Sequence, residues 1–214
     1  MRLRNIPAAR DAIESSIYCV NEPAATGADF HELFVKEQPL YIEIGMGKGR
    51  FIMDMARLNP GINFLGIERY SSVLYRGIQK MEADPIENAR FMCEDAAKLS
   101  EVFRPGEVNR IYLNFSDPWP KDRHAKRRLT SDRFLPIYHG LLREDGLIEF
   151  KTDNRDLFDF SVDSINESPY FEITALTYDL HNDEVMNEGN VMTEYEEKFS
   201  AKGNPICKLI ARRV

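Results

Sequence analysis

The chain has 214 residues, enough for one α/β domain with a sizeable core and tight for two. Hydrophobic residues make up 43% and charged residues 29%, an ordinary soluble balance, and no apolar run approaches the roughly 18 residues of a membrane span. A net charge of −7 argues, taken alone, against a nucleic-acid partner. The basic start (Met1-Arg2-Leu3-Arg4) is followed by no apolar stretch, so a secretory signal is not expected. Cys19, Cys93 and Cys207 are far apart, with no CxxC pair, and the histidines form no HxxxH pair. Disulfides and a metal site are therefore not expected, and cytoplasmic residence is.

Residues 1–38 are an N-terminal extension to which the sequence assigns no role. From residue 39 onward short apolar runs alternate with amphipathic stretches. Leu40 to Ile44 predicts a strand, and Gly49 to Leu58 a helix with Phe51, Ile52, Met55 and Ala56 on one face. Asn63 to Glu68 predicts a second strand; Val73, Leu74, Ile78 and Met81 mark a second helix. Asn88 to Glu94 is a third strand, followed by a short helix over Ala96 to Phe103. Arg110 to Phe115 is a fourth, leading into a loop from Ser116 to about Thr130. Phe134, Leu135, Tyr138, Leu141 and Leu142 have helical spacing, and Asp145-Gly146 is a turn signal. Leu147 to Lys151 is a fifth strand; Leu157, Phe158, Ser161, Val162 and Ile165 give another helix. Tyr170 to Tyr178 and Ile206 to Arg212 close the chain as two β stretches with no helix between them, an antiparallel hairpin at one edge. The expected fold is α/β: a Rossmann-like, doubly wound, mostly parallel seven-stranded sheet with an antiparallel edge strand and helices on both faces.

Such sheets bind ligands at the carboxyl ends of their strands. The first strand runs into Glu43-Ile44-Gly45-Met46-Gly47-Lys48-Gly49. Gly45, Gly47 and Gly49 allow a tight turn and close approach of a ligand to the backbone. The spacing is GxGxG, one residue short of the dinucleotide fingerprint, so it marks a nucleoside site without naming the nucleoside. Glu68, at the second strand's end, suits a ribose diol, which NAD and S-adenosylmethionine share. Asp95, at the third strand's end, either accepts from an adenine amine or caps the helix that follows. Glu43 either accepts from an ammonium near the glycine loop or is structural.

The fourth strand ends in Asn114-Phe115-Ser116-Asp117-Pro118-Trp119-Pro120-Lys121. Two prolines stiffen the loop around the chain's single tryptophan, beside a carboxylate, which suits a base-binding pocket. Residues 121–128 follow, with five Lys/Arg against one Asp. On charge alone this is a solvated face; beside the active edge of the sheet it becomes a phosphate-binding stretch.

These stretches closely resemble the bacterial tRNA (guanine-N7-)-methyltransferases. The match covers about residues 39–212 and rests on EIGMGKG (43–49), GIE (66–68), YLNFSDPWPK (112–121), RHAKRRL (123–129), FKTDN (150–154) and MTEYEEKF (192–199). The DPWPK and TEYE stretches are its most specific parts. The resemblance implies a methyltransferase domain over 39–214 that moves a methyl group from S-adenosylmethionine to N7 of a variable-loop guanine in tRNA. By this resemblance Glu43, Gly45, Gly47, Gly49, Glu68, Asp95, Asn114 and Asp117 form the cofactor site. Lys121, Asp153, Thr193, Glu194, Tyr195 and Glu196 hold the substrate nucleotide, while Arg123, His124, Lys126, Arg127 and Arg128 contact RNA. Guanine N7 carries a lone pair and no proton, so Asp117, the catalytic candidate, stabilises charge and accepts no proton. Guanine offers donors at N1 and N2, which carboxylates at Asp153 and Glu196 would accept; each acid also has a bland reading, a helix cap and a solvated acid respectively. Asp122 departs from the family pattern, where a basic residue is common. No metal or membrane is implied, and a monomer or homodimer is expected. Competing readings are a methyltransferase for another base atom, a tRNA-binding module without activity, and, more distantly, an NAD oxidoreductase.

Overall fold

The computed structural model describes residues 6–21 and 30–214; the basic start at Met1 to Asn5 lies outside the described residues. The chain divides into two compact units, residues 1–104 and 105–214.

In the first unit, helix α1 (Ala9–Ser15) and the two-residue strand β1 (Cys19–Val20) precede a 3-10 turn over Phe30–Leu33. Then β2 (Leu40–Ile44), α2 (Arg50–Leu58), β3 (Asn63–Ile67), α3 (Ser71–Ala83) and β4 (Ala89–Met92) alternate. A 3-10 turn, Ala96–Lys98, runs into the short α4 (Leu99–Val102). The strands lie in the order β1-β4-β3-β2, and their pairings are parallel. Parallel strands covered on both faces should be apolar throughout, and all five residues of β3 are buried. Gly66 in that strand has a packing reason: a Cβ there would run into Met46 Sδ. Met46 also leaves only 3.1 Å between its Cε and a Cβ built at Gly77 of α3. The methionine of the glycine loop is thus a plug between strand and helix. On α2 the buried positions are Phe51, Ile52, Met53 and Ala56, with the expected Met55 half-buried.

In the second unit, β5 (Val108–Asn114) is followed by a 3-10 helix over Asp122–Arg127, then α5 (Leu135–Leu141), β6 (Leu142–Thr152), α6 (Arg155–Asn166) and β7 (Phe171–Thr177). A 3-10 turn (Leu180–Asn182), α7 (Glu184–Asn187) and α8 (Glu194–Ser200) lead into β8 (Cys207–Arg213). The order is β5-β6-β8-β7, with β5 and β6 parallel and β8 antiparallel to both its neighbours.

The alternation is the α/β class expected, with four differences in detail. An eighth strand, β1, lies inside the N-terminal extension; two residues are too few to show a period. The reversed strand β8 sits one place in from the edge, which β7 occupies. Three short helical turns separate β7 from β8, where a plain hairpin was expected. They are legible only afterwards, because their apolar residues (Leu180, Met186 and, just beyond them, Ile206) form one small cluster without helical period. Asp145-Gly146 is a bulge within β6: Asp145 takes φ 59°, and the ladder shifts register between Val108 and Arg110. Among the described residues no helix is long and apolar enough to cross a membrane.

Candidate active site

In the first unit the residues expected at the cofactor gather at the carboxyl ends of β2, β3 and β4. The chain leaves β2 through Gly45, Gly47 and Gly49, with φ of 83°, 59° and 76°, a region other residues enter at a cost. The Gly45 and Met46 amides donate to the Ile67 carbonyl at 2.8 and 3.0 Å, tying the loop to the end of β3. A Cβ at Gly45 or Gly47 would meet nothing within 4 Å, so both face open space; one at Gly49 would crowd the Phe91 ring at 3.2 Å. Glu68 follows β3 and is 7% exposed. Its Oε2 accepts from the Gly47 amide at 3.2 Å and its Oε1 from the Tyr70 amide at 2.9 Å. Burial pushes its pKa up, and the backbone amides pull against that rise. The Arg69 amide also favours its charged form. Glu43 is buried in β2. Asp95 caps the turn after β4 through the Ala97 amide on Oδ1 (3.0 Å), while Oδ2 lies 3.7 Å from the Arg69 guanidinium. The capping reading is therefore realised by one oxygen, and the other remains oriented by a cation.

In the second unit the stretch after β5 is strained and clamped. Asn114 is buried at the strand's end. Phe115 and Trp119 take φ of 51° and 42°, although neither is glycine. Such conformations cost about 1–3 kcal/mol each and gather at functional sites. Between them the Ser116 hydroxyl is buried without a hydrogen-bond partner among the described residues. Asp117 is exposed. Arg128 closes the loop from behind: its Nε donates to the Pro118 carbonyl at 3.1 Å, one Nη donates to the Trp119 carbonyl at 3.2 Å, and its guanidinium lies over Phe160. Arg127 covers the Trp119 ring at 4.8 Å, and His124 meets it edge-on at 5.7 Å. Of the basic stretch, Lys121, Arg123, Lys126 and Arg127 are exposed, whereas Arg128 is committed to the loop. The stretch forms a 3-10 helix, Asp122–Arg127, none of whose residues is buried.

A second cluster in this unit joins the end of β6 to α8. Thr193 caps α8 through the Glu196 amide at 2.9 Å. The Tyr195 hydroxyl donates to Asp153 Oδ2 at 3.3 Å, and its ring stacks on Phe199 and leans on Phe115, at 4.1 and 4.9 Å. Burial, and then the charge of Asp153, raise the Tyr195 pKa. The cap of α6 is Asn154, whose Oδ1 accepts from the Leu157 amide, which leaves Asp153 half-buried and turned to Tyr195. Glu194 is exposed. Glu196 is elsewhere than expected. It is fully buried, with Oε2 on Lys151 Nζ at 2.6 Å and Oε1 on Asn190 Nδ2 at 2.9 Å, and His181 stands 3.3 Å away. Both its oxygens are bonded within the protein, whereas the sequence reading placed it at the base edge. In the second unit, then, the structure brings Phe115, Asp153 and Tyr195 together, and Glu196 lies beneath them.

The family model described as a putative methyltransferase matches residues 37–209. The tRNA (guanine-N(7)-)-methyltransferase of Lachnoclostridium phytofermentans is 54% identical over 213 residues, 100% of this chain and 99% of the relative. That of Geobacillus thermodenitrificans is 49% identical over 214 residues, 100% and 98% of the two chains. The chain belongs to the tRNA (guanine-N(7)-)-methyltransferase family. Solved structures agree on the fold. The 16S rRNA methyltransferase KamB gives a TM-score of 0.63 at 15% identity over 86% of this chain and 92% of its own. An antibiotic-related methyltransferase gives 0.62 at 16% over 91% and 96%. The fold class is the Rossmann-like one expected.

Several residues that build this methyltransferase's site gave little sign in the sequence. Lys151 had one: a charge in a strand that otherwise reads as buried. Asn190 and the clamp role of Arg128 had none, because each depends on partners at least six residues away.

Proposed function

We propose that the chain transfers a methyl group from S-adenosylmethionine to N7 of a guanine in the variable loop of tRNA. Two relatives named tRNA (guanine-N(7)-)-methyltransferase, each matched over essentially its full length, carry the reading. The methyltransferase domain is taken as 39–214, acting in the cytoplasm as a monomer or homodimer.

The residues of the first unit fit the cofactor. Open space beside Gly45 and Gly47 admits a ligand against the loop, and Glu68 is held by two amides in a fixed orientation suited to a ribose diol. Asp95 is assigned to an exocyclic amine of the cofactor, and Glu43 to its ammonium. When bound, S-adenosylmethionine supplies an electrophilic methyl group on a sulfonium. The protein has to hold N7 in line with it, about 3–3.5 Å from the methyl carbon. No base is needed, because N7 has no proton to lose. Asp117 is assigned to stabilise the positive charge that grows on the purine. Asp153, oriented by Tyr195, accepts from the guanine N1 and N2 donors, and a purine lacking them would leave the carboxylate unpaired. Phe115 and Tyr195 provide aromatic surface beside it. Lys121, Arg123, His124, Lys126 and Arg127 contact the RNA backbone around an extruded nucleotide.

The test is to incubate the purified protein with labelled S-adenosylmethionine and unmodified tRNA transcripts and identify the product. 7-Methylguanosine at one variable-loop guanine is the expected result. Methyl on another atom would overturn the roles given to Asp117 and Asp153.

A further inference from the structure

Lys151 sits near the end of β6, two residues before Asp153, and its side chain is 5% exposed. We propose that Lys151 is a positioning residue for the substrate nucleotide: its ammonium holds the 190–196 segment on the end of β6 and thereby sets Tyr195 against Asp153. The inference rests on the assignment of Asp153 and Tyr195 to substrate binding.

The ammonium donates to Glu196 Oε2 at 2.6 Å, to the Val191 carbonyl at 2.9 Å and to Asn190 Oδ1 at 3.1 Å. Three donors on one nitrogen thus meet three acceptors on one seven-residue segment, two near its start and one at its end. The segment is braced within itself as well. Asn190 donates to Glu196 Oε1, and Thr193 caps the turn between them. Tyr195 is the neighbour of Glu196, as Asp153 is of the Lys151 end of the strand. The two links therefore run side by side, one buried and one at the surface. The surface link is a single hydrogen bond of 3.3 Å on a ring that is 41% exposed, too weak to fix its own geometry. Burial pulls Lys151 below the ordinary lysine range and Glu196 pulls it back, so the charged pair is maintained by its bonds. Replacing both charges of such a pair with well-packed apolar side chains often costs no overall stability. They would not dictate which residue faces Asp153, and directional bonds do.

The experiment compares Lys151→Met and Asn190→Ala with the wild type. Asn190→Ala removes one acceptor without leaving an unpaired charge, so it serves if Lys151→Met fails to fold. Three quantities are read: kcat and KM for a tRNA transcript, S-adenosylmethionine affinity by calorimetry, and amide hydrogen exchange over residues 190–199. Lys151→Met is expected to raise KM for tRNA by about tenfold or more, with a smaller rise for Asn190→Ala. Exchange over 190–199 should rise in both, and cofactor affinity should stay within about twofold. Unchanged KM and exchange in both variants would overturn the proposal, as would a loss shared equally by cofactor affinity. A wild type that makes no 7-methylguanosine would remove the functional reading instead. The exchange comparison would then still decide whether Lys151 holds the segment.

Discussion

Glu68 is almost fully buried, accepts two backbone amides, and has its pKa raised above 4.5 chiefly by burial. Two pH effects of opposite sign follow. The folded state binds this proton more tightly than the unfolded chain, so the stabilising contribution is complete below 4.5 and lost as pH rises through the raised value. Ribose binding needs the ionised form, so cofactor affinity is lost as pH falls through the same value. Titration calorimetry at successively lower pH should show S-adenosylmethionine affinity declining as Glu68 takes up its proton. A flat profile would remove Glu68 from the ribose site. At Asp117 the expectation concerns rate: Asp117→Asn should lower kcat by about a hundredfold with little change in KM, since the charge acts on the transition state. An unchanged kcat would end its catalytic assignment. Individual acids were the least legible part of the sequence. Asp153 and Asn154 are adjacent and both can cap a helix, and only the structure shows that Asn154 does so. Glu196 lies in a stretch of seven acidic residues with no Lys or Arg (179–197), so nothing in its surroundings announced a buried pair.

Among the elements, the stretch from Asn114 to Thr130 shows how far pattern reading reaches. Its stiffness was legible from Pro118 and Pro120. Its internal clamp was not, because Arg128 looks the same in sequence as the arginines beside it. The structure separates their roles. Replacing Arg123 and Lys126 together with alanine should weaken tRNA binding and reduce the slope of log affinity against log salt by about one to two. An unchanged slope would take both off the RNA. Arg128→Ala should act differently, freeing the carbonyls of Pro118 and Trp119 and loosening the loop. The single tryptophan makes this visible: Trp119 emission should shift to the red in Arg128→Ala without tRNA present. Emission identical to the wild type would mean that the strained loop holds without its clamp. Helices of ordinary length were legible from their period and the buried parallel strands from their continuous apolar runs. β1 and the turns between β7 and β8 are too short to carry either.

For the whole molecule, a net charge of −7 and a polyanionic partner are reconciled by segregation: Lys121, Arg123, Lys126 and Arg127 are exposed on one short stretch, and the acidic stretch at 179–197 directs one of its carboxylates, Glu196, inward to Lys151. The fold class was legible from alternation alone, since only a few architectures accommodate it. The buried pair has a further consequence for how this protein would respond to selection. Desolvating two charges is costly, and replacing such pairs with well-packed apolar side chains often gains about 1–4 kcal/mol. A library screened only for heat resistance should therefore drift toward aliphatic residues at 151 and 196. The double change Lys151→Met with Glu196→Met should melt at a higher temperature, by about 2–4 °C for each kcal/mol gained, yet turn over tRNA poorly. Calorimetric scanning alongside a methylation assay would show whether the two properties separate. If they do, robustness and turnover are opposed at this one contact, and the chain as it stands favours turnover.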